Sequence, residues 1–358
     1  MLARAPRKRY VRPMQQLTGA HARRTRRRAH LLDGSDLTPV EVVDRAVALQ
    51  GQDLRAVLRA IAIRSAPGTT VDDVIAAFDA GLLVRSWPMR STLFATTPGH
   101  LAFLLSHTGD RIHRSMARRR AELEVDDGVI DRARGVLLDA LVERPQSRAD
   151  AMGLWKAAGI DTSAGRGYHL IAHLAIAGLV HWGPFDGEEH LLVATPAREP
   201  ATDALPQVLQ SVIRARAPMT EADLAWWTKL PLGVLRPAIA EVTDLTRVEV
   251  EGTEMFTIGE PDGDPGPAGI DLIPGFDEWI LGYADRTLVA DDVAFRTLVP
   301  GGNGIFRPAV LLDGVVVGTW RVPIVRGKAG GPVLELVRDL SPRHHSALLA
   351  ALDAWPHA

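Results

Sequence analysis

Two glutamines, Gln50 and Gln52, stand on either side of Gly51 in the stretch "VALQGQDLRAV". Each glutamine amide carries one carbonyl acceptor and two N–H donors. Such a pair can position a water molecule and present partial negative charge to a group that becomes cationic during a reaction. The apolar residues around them have helical spacing, so the same glutamines can also be polar positions on the solvated face of an amphipathic helix.

The spacing of the two glutamines limits the chemistry that they can share. Side chains at positions i and i+2 of a regular helix point about 200° apart. Both amides can therefore reach one ligand only where a helix ends or where the backbone is irregular. Gly51 allows such an irregularity at low cost.

Most common catalytic motifs are missing from the sequence. It has no phosphate loop ending in Gly-Lys-Ser/Thr, no strand-linked GxGxxG, no GxSxG elbow and no HExxH. The absence of cysteine excludes disulfides, thiolate metal sites and cysteine nucleophiles, and it fits a reducing compartment. No apolar run approaches the roughly 18 residues of a membrane span. We therefore expect a cytoplasmic protein without a membrane segment.

The charge is distributed unevenly along the chain. The net charge is −2, yet the first 32 residues contain ten Arg or Lys and no Asp or Glu. This segment lacks the apolar core of a secretory signal. We expect residues 1–30 to form a basic, disordered arm. Three interpretations stay open: an over-long start of the reading frame, an arm that touches nucleic acid phosphates, or a presequence of mitochondrial type.

A repeated pattern indicates how the chain is organised. "PQSRAD" and "PMTEAD" lie 73 residues apart. The third residue of each, Ser147 or Thr220, can cap a helix whose first turn holds an Asp. Helix, capped helix, helix and hairpin then follow in the order of a winged helix. A more divergent copy begins the fold. We expect a mainly α protein with small β wings (α+β): winged helices at residues 31–105, 106–198 and 199–260.

The composition changes to Gly and Pro around residues 260–269, which indicates a boundary. Beyond it, two apolar runs flank Asp313-Gly314, a strong hairpin signal. We expect residues 270–358 to form a β-rich domain that ends in a helix. In the third unit, the adjacent Trp226 and Trp227 are expected to pack in the core rather than to stack on bases.

His169 and His173 are four residues apart on the predicted third helix of the middle unit. They can share a metal ion, but no third ligand is indicated. Packing or capping is the second interpretation. Contact with DNA is the third, because the third helix of a winged helix is the usual recognition helix.

Five blocks of sequence together resemble the AlkZ-like winged-helix family, which includes the YcaQ branch. They lie in the family order between about residues 30 and 330: "LQGQDLRAVL", "LVRSWPMRSTL", "EADLAWWTKL", "IPGFDEWILGYADR" and "VPGGNGIFRPAVLLDGVVVGTWR". The resemblance implies tandem winged helices, a C-terminal β domain and a DNA glycosylase that excises alkylated bases and unhooks crosslinks. It also implies that Gln50 and Gln52 are the catalytic Gln-x-Gln motif. No metal and no organic cofactor are implied.

The sequence departs from the family pattern at two places. Gly51 stands where relatives have an aliphatic residue between the two glutamines. In "RSTLF", Ser91 and Phe94 replace the glycine and histidine of a common Arg-Gly-Thr-Leu-His pattern. A role of that histidine in substrate contact is therefore not expected in this chain.

Two neutral amides are sufficient for base excision when the leaving base is already cationic. Alkylation at N7 of guanine or N3 of adenine gives such a base, so no general acid is needed. We predict that Gln52 positions a water and stabilises the developing cation with Gln50 as its partner, although the two roles can be exchanged.

We expect the partner to be double-stranded DNA with alkylated bases, bound by a monomer. The residues predicted to contact DNA are Arg85, Arg90, His173, Asn303 and Arg307. The alternatives are a non-enzymatic winged-helix DNA-binding protein, such as a transcriptional regulator, and an interaction scaffold that has lost its activity.

Overall fold

The structure is a computed structural model that describes residues 14–196, 204–261, 263, 266–267, 269–325 and 328–356. Its first elements lie in the basic segment, where β1 spans Gln15–Leu17 and α1 spans Gly19–Ala29. On α1, Arg26 is 1% exposed and donates from Nε to the Pro218 carbonyl at 3.1 Å. The prediction of a disordered arm is therefore wrong for residues 14–30, because α1 and the residues at its ends pack on the folded body. The rest of that prediction falls on residues 1–13, outside the described part of the chain.

The first unit contains three helices, a short strand and a hairpin. Each helix begins at a side chain that accepts a hydrogen bond from the first turn, at Thr38, Asp53 and Thr70. The elements are α2 (Pro39–Ala46), β2 (Ala48–Gln50), α3 (Leu54–Ala62), α4 (Val71–Asp79), β3 (Val84–Met89) and β4 (Thr92–Thr96).

Three helices followed by a hairpin occur twice more, after the long helix α5 (Pro98–Glu122). The second unit contains α6 (Asp127–Glu143), α7 (Arg148–Ala157), α8 (Arg166–Ile176), β5 (Val180–Asp186) and β6 (Glu189–Ala194). The third contains α9 (Leu205–Arg216), α10 (Glu221–Thr228), α11 (Leu232–Ala240), β7 (Leu245–Val250) and β8 (Thr253–Ile258). Capping boxes begin α7 and α10, which confirms the helix starts predicted at Ser147 and Thr220. The winged-helix assignment and its boundaries stay predictions.

One sheet joins the strands of the first two units in the order β2-β4-β3-β5-β6. The junction between the units lies where Arg85 on β3 pairs with Trp182 on β5. Strand β2 lies at one edge of this sheet and pairs antiparallel with β4, with Gln50 opposite Phe94. The first glutamine of the motif therefore belongs to a sheet and not to a helix.

The C-terminal part is a four-stranded sheet with helices around it. Its elements are β9 (Ile270–Ile273), α12 (Glu278–Leu281), α13 (Asp292–Leu298), a 3-10 turn (Pro300–Gly302), β10 (Ala309–Leu312), β11 (Val315–Arg321), β12 (Ile324–Val325), β13 (Lys328–Ala329), β14 (Val333–Leu336) and α14 (Pro342–Asp353). Asp313 and Gly314 have φ of 50° and 77°, as a tight hairpin turn requires, which confirms the predicted β10–β11 hairpin.

A single buried core connects three parts of the chain. It contains Phe94 on β4, Trp227 on α10 and Tyr283 just after α12, each 0% exposed. Burial of one such apolar side chain contributes about 1.5–3 kcal/mol. The start of the C-terminal part is thus packed against the first and third units. Among the helices of the described ranges, none is long and apolar enough to cross a membrane.

Candidate active site

The segment from Val47 to Asp53 is a break between two helices. Helix α2 ends at Ala46, Val47 has φ of 67°, β2 follows, and α3 begins only after Asp53, whose Oδ1 accepts from the Ala56 amide at 3.0 Å. The interpretation of this stretch as one amphipathic helix is therefore wrong. The structure has the irregular backbone that two glutamines at i and i+2 need.

A strained turn at Val47 is held by side chains from elsewhere in the fold. Positive φ is unfavourable for a β-branched residue and persists only where the surroundings fix it. Arg216 donates from Nη1 to the Ala46 carbonyl at 3.0 Å and from Nη2 to the Ala48 carbonyl at 2.8 Å. Thr96 Oγ1 donates to the Val47 carbonyl at 2.7 Å. Three consecutive carbonyls before the motif are thus bound by side chains.

Gln50 is 6% exposed and combines a fixed backbone with an unsatisfied amide. Its backbone N–H donates to Glu278 Oε1 at 3.2 Å. Its side-chain Oε1 is buried and, within the described residues, has no hydrogen-bond partner. A buried acceptor without a partner is costly and rare in folded proteins. The acceptor capacity of this oxygen is therefore unused within the described part of the chain.

Gln52 follows on the exposed side of the break. Its Oε1 accepts from the Leu93 amide of β4 at 3.4 Å, while the Gly51 amide donates to the Leu93 carbonyl at 2.7 Å. The side chain of Gln52 and the backbone of Gly51 thus meet the same residue of β4. This contact places both glutamines along one edge of the β3–β4 hairpin.

Gly51 serves close packing rather than an unusual dihedral angle. Its φ is not positive, but a Cβ at this position would lie 3.0 Å from Ala95 N and 3.1 Å from Phe94 C. The missing side chain lets β4 approach the motif closely. A side chain at position 51 would therefore require the backbone of β4 to move.

Arg85 lies behind the motif, with its guanidinium on two of the motif's carbonyls. It is 9% exposed and donates from Nε to the Gly51 carbonyl at 2.6 Å and from Nη2 to the Gln52 carbonyl at 3.3 Å. Burial lowers the pKa of Arg85 to about 10. A contact between Arg85 and DNA stays a prediction, whereas its observed contacts hold the backbone of the glutamine pair.

Glu278 is the central residue of the site that the sequence analysis missed. It is 2% exposed and accepts from Arg216 Nε at 2.9 Å, from Trp227 Nε1 at 2.8 Å and from the Gln50 backbone N–H. The neighbouring Asp277 forms a second buried ion pair with Arg64 at 2.7 Å. Two adjacent acids inside the apolar stretch "IPGFDEWIL" were the available signal, because buried carboxylates require partners.

The remaining predicted DNA-contacting residues occupy three different settings. Arg90, at the tip of the β3–β4 hairpin, donates to the Leu281 carbonyl at 3.1 Å. His173 is half-buried and lies against His113 with ring centroids 4.4 Å apart, and burial lowers its pKa to about 4. Asn303 is exposed and accepts from the Ile305 amide at 3.0 Å, and Arg307 pairs with Glu335 at 2.8 Å. Of the predicted DNA-contacting residues, Arg85 contacts the backbone of the glutamine pair directly, and Arg90 lies at the tip of the neighbouring β3–β4 hairpin.

The two positions that depart from the family pattern on this hairpin differ in exposure. Ser91 is exposed in the turn with φ of 55°, and Phe94 is 0% exposed with its ring 6.4 Å from that of Trp227. Phe94 therefore fills the core between β4 and α10. It cannot replace a histidine that contacts substrate.

The geometry defines a pair of neutral amides at the edge of a sheet, fixed by buried ionic groups, in a chain of mainly helical α+β architecture. Comparison with known proteins identifies the family. The family model described as DNA glycosylase AlkZ-like matches residues 43–357, so the chain belongs to the AlkZ-like DNA glycosylase family.

A curated sequence and a solved structure are also similar to this chain, and the solved structure shows similarity of fold. The chain is 26% identical over 263 residues to an interstrand DNA cross-link repair glycosylase of Streptomyces sahachiroi, covering 67% of this chain and 70% of the relative. The solved structure of the Streptomyces sahachiroi DNA glycosylase AlkZ is similar in fold, with a TM-score of 0.76 and 20% identity over 96% of this chain and 97% of that one.

Proposed function

We propose that this protein is a monofunctional DNA glycosylase that hydrolyses the N-glycosidic bond of cationic alkylated purines, N7-alkylguanine or N3-alkyladenine. Its tandem winged helices bind the duplex DNA that contains the lesion. The observation that carries the proposal is the buried Oε1 of Gln50 beside Gln52, which has no hydrogen-bond partner in the described part of the chain, in a backbone that Glu278, Arg216 and Arg85 hold in place. The relative named for cross-link repair extends the proposed substrates to interstrand crosslinks.

The proposed reaction uses the charge of the lesion itself. The bond between C1′ and the base nitrogen breaks with its electron pair moving to the cationic base, which leaves as a neutral molecule. The sugar becomes oxocarbenium-like at C1′, and a water oxygen bonds there while one water proton passes to solvent. Because the base leaves as a neutral molecule, no acidic residue has to protonate it.

Each glutamine has a distinct part in this proposal. The carbonyl Oε1 of Gln50 faces the developing cation, where a fixed partial charge in a dry site stabilises it strongly. Gln52, which is exposed, positions the water through its amide. An uncharged pair of this kind gives little help to the excision of a normal, neutral base. Selectivity then follows from the reactivity of the lesion.

The test is excision from a duplex that carries one 7-methylguanine, followed by heating in alkali to cleave abasic sites. We expect the wild-type protein to produce cleavage and the Gln50→Ala and Gln52→Ala variants to lose about 10²–10³-fold in rate, as for the loss of one preorganised donor or acceptor. Gln210→Ala is the matched control, because the Gln210 amide binds Thr243 instead of the motif.

Each alternative gives a different result in the same assay. A non-enzymatic DNA-binding protein would bind the duplex and yield no abasic product. Equal rates for all three glutamine variants would remove the motif from the mechanism. Strand breakage before alkali would contradict a monofunctional enzyme, and excision of undamaged guanine or uracil would contradict selectivity by reactivity. A duplex crosslinked through N7 of two guanines tests unhooking by the release of single strands on a denaturing gel.

A further inference from the structure

Three cationic side chains surround the indole of Trp226. The ring centroid lies 3.8 Å from Lys229 Nζ, 5.1 Å from the Arg90 guanidinium carbon and 5.5 Å from that of Arg286. The indole N–H donates to the Leu281 carbonyl at 3.1 Å, which fixes the ring. Each cation lies within the distance at which an aromatic ring attracts a positive charge.

None of the three cations forms an ion pair with a carboxylate among the described residues. The guanidinium of Arg90 donates to the Leu281 carbonyl, and that of Arg286 donates to the Ile280 carbonyl at 2.9 Å. Burial is the largest cause that lowers the pKa of all three groups. Glu278 raises and Arg286 lowers the pKa of Arg90, Arg90 lowers that of Lys229, and Asp223 and Asp285 raise that of Arg286. The cluster thus concentrates positive charge whose members repel one another.

Three acids act on the cluster by charge: Asp223 and Glu278 are already bound by other donors, and Asp285, exposed next to Arg286, accepts from the Thr287 amide at 2.8 Å. Asp223 accepts from the amides of Ala284 and Thr220, each at 2.8 Å. Glu278 is bound by Arg216, Trp227 and Gln50. Neither carboxylate is free to turn toward the three cations. An external anion would therefore gain charge-assisted hydrogen bonds and relieve the repulsion.

The cluster lies beside the glutamine motif. Arg90 is at the tip of the β3–β4 hairpin, and Leu93, which meets Gln52, lies three residues further along it. Arg90 and Ser91 form the turn, so the separation of Arg90 and Leu93 is at most the roughly 10 Å that three extended residues would span. A nucleotide held at the glutamine pair therefore has its neighbouring backbone phosphates within reach of the cations.

We propose that Arg90, Lys229 and Arg286 form a binding site for a DNA backbone phosphate, with Trp226 as the platform that gathers them. The proposal rests on the proposed function, which supplies DNA as the ligand. A phosphodiester suits the site better than a base, because cations already lie around the indole. Arg90 is already one of the residues predicted from the sequence to contact DNA, and the proposed site adds Lys229 and Arg286 to them.

The test measures the affinity of the full-length protein for an undamaged duplex by fluorescence anisotropy across a range of salt concentrations. Lys229 is exposed with φ of 56°, so Lys229→Asn removes the charge while keeping a residue that tolerates this conformation. We expect Lys229→Asn to weaken binding at low salt and to reduce the slope of log K against log salt by about 1. Lys229→Arg should restore both quantities.

Arg236→Gln is the matched control, because it removes one positive charge in the same unit from a residue paired with Glu221 at 3.0 Å. Arg286→Gln gives a second, independent measurement on the cluster. If both cluster variants keep the salt slope and affinity of the control, the proposed phosphate site is wrong. Circular dichroism verifies that each variant is folded.

The same variants separate this inference from the proposed function. In single-turnover excision of 7-methylguanine, Lys229→Asn should raise the half-saturating protein concentration while keeping the rate at saturation. Loss of affinity in a wild-type protein that excises nothing would support the phosphate site and reject the glycosylase. Normal affinity and normal half-saturation in the cluster variants of an active enzyme would reject the site and leave the glycosylase intact.

Discussion

Removal of the Glu278 carboxylate is the most informative single change in this protein. Glu278→Ala takes the acceptor from Arg216 Nε, from Trp227 Nε1 and from the Gln50 backbone N–H. Arg216 is 1% exposed, so its charge would stay in the interior without an anionic partner. The turn before the motif and the start of β2 would lose their common support.

The size of the effect follows from the burial of the pair. Breaking a buried ion pair by removing one partner costs about 3–5 kcal/mol. The Trp227 indole N–H and the Gln50 backbone N–H also lose their acceptor. Each of them costs a further amount of about 1–3 kcal/mol where water cannot replace the carboxylate. Since a native protein is stable by about 5–15 kcal/mol, we expect Glu278→Ala to remove at least about 3 kcal/mol of the free energy of unfolding.

The assay is urea unfolding followed by tryptophan fluorescence, which reports on Trp227 within the network. The double variant Arg216→Met with Glu278→Leu removes the isolated charge and should be more stable than the sum of the single changes predicts, by about 0.5–3 kcal/mol. Additive losses, or a loss below 1 kcal/mol for Glu278→Ala, would refute the reasoning. At temperatures where the single variant stays folded, excision should still fall, because a displacement of 1 Å in an active site can cost about 10²-fold.

Three further predictions concern the motif and the fold around it. Gly51→Val, which introduces the aliphatic residue of the relatives, should destabilise the protein by about 1–3 kcal/mol in urea, because its Cβ meets the backbone of β4; an unchanged unfolding midpoint would contradict this. Arg85→Met should slow excision by about tenfold or more and leave affinity for undamaged DNA unaltered, because the guanidinium holds the motif's carbonyls; weaker affinity at a normal rate would instead indicate phosphate contact. Burial lowers the pKa of His190 to about 3 in the folded protein, whereas the unfolded chain has the ordinary value of about 6.5. Between these two pH values the unfolded chain binds one more proton than the folded protein, so the free energy of unfolding decreases as pH falls from about 6.5 towards 3. His190→Phe should flatten the fall in unfolding free energy between pH 6.5 and 4.5 by up to about 1.4 kcal/mol per pH unit, and equal slopes would count against this assignment.

Features with a local cause could be predicted from the sequence. Ser147 with Asp150, and Thr220 with Asp223, form capping boxes that involve four consecutive residues each, so their pattern is visible without the fold. Asp313-Gly314 makes the hairpin turn for the same reason. In each case the interaction that determines the structure lies within the quoted stretch.

The break at the glutamine motif has a distant cause and could not be predicted in this way. The apolar spacing of residues 47–57 indicates a helix, yet Arg216, 170 residues from Ala46, binds the carbonyls on both sides of Val47. The order of the basic segment likewise depends on contacts with residues far away in the sequence. A run of arginines indicates a solvated arm until one knows that Arg26 lies over the ring of Tyr283 at 3.6 Å.

The buried ionic network favours one of the two interpretations of the glutamines, the proposed catalytic one. A solvated polar face requires no support, whereas neutral amides can stabilise a cation only when their dipoles are fixed before the reaction begins. Around this motif, Glu278 binds the backbone of Gln50, Arg216 binds the turn that precedes it, and Arg85 binds the two residues that follow it. Burying charged groups costs free energy unless each is paired, and these charges hold one short segment of backbone. This free energy cost has an explanation if the buried charges serve to keep Gln50 and Gln52 in a fixed orientation.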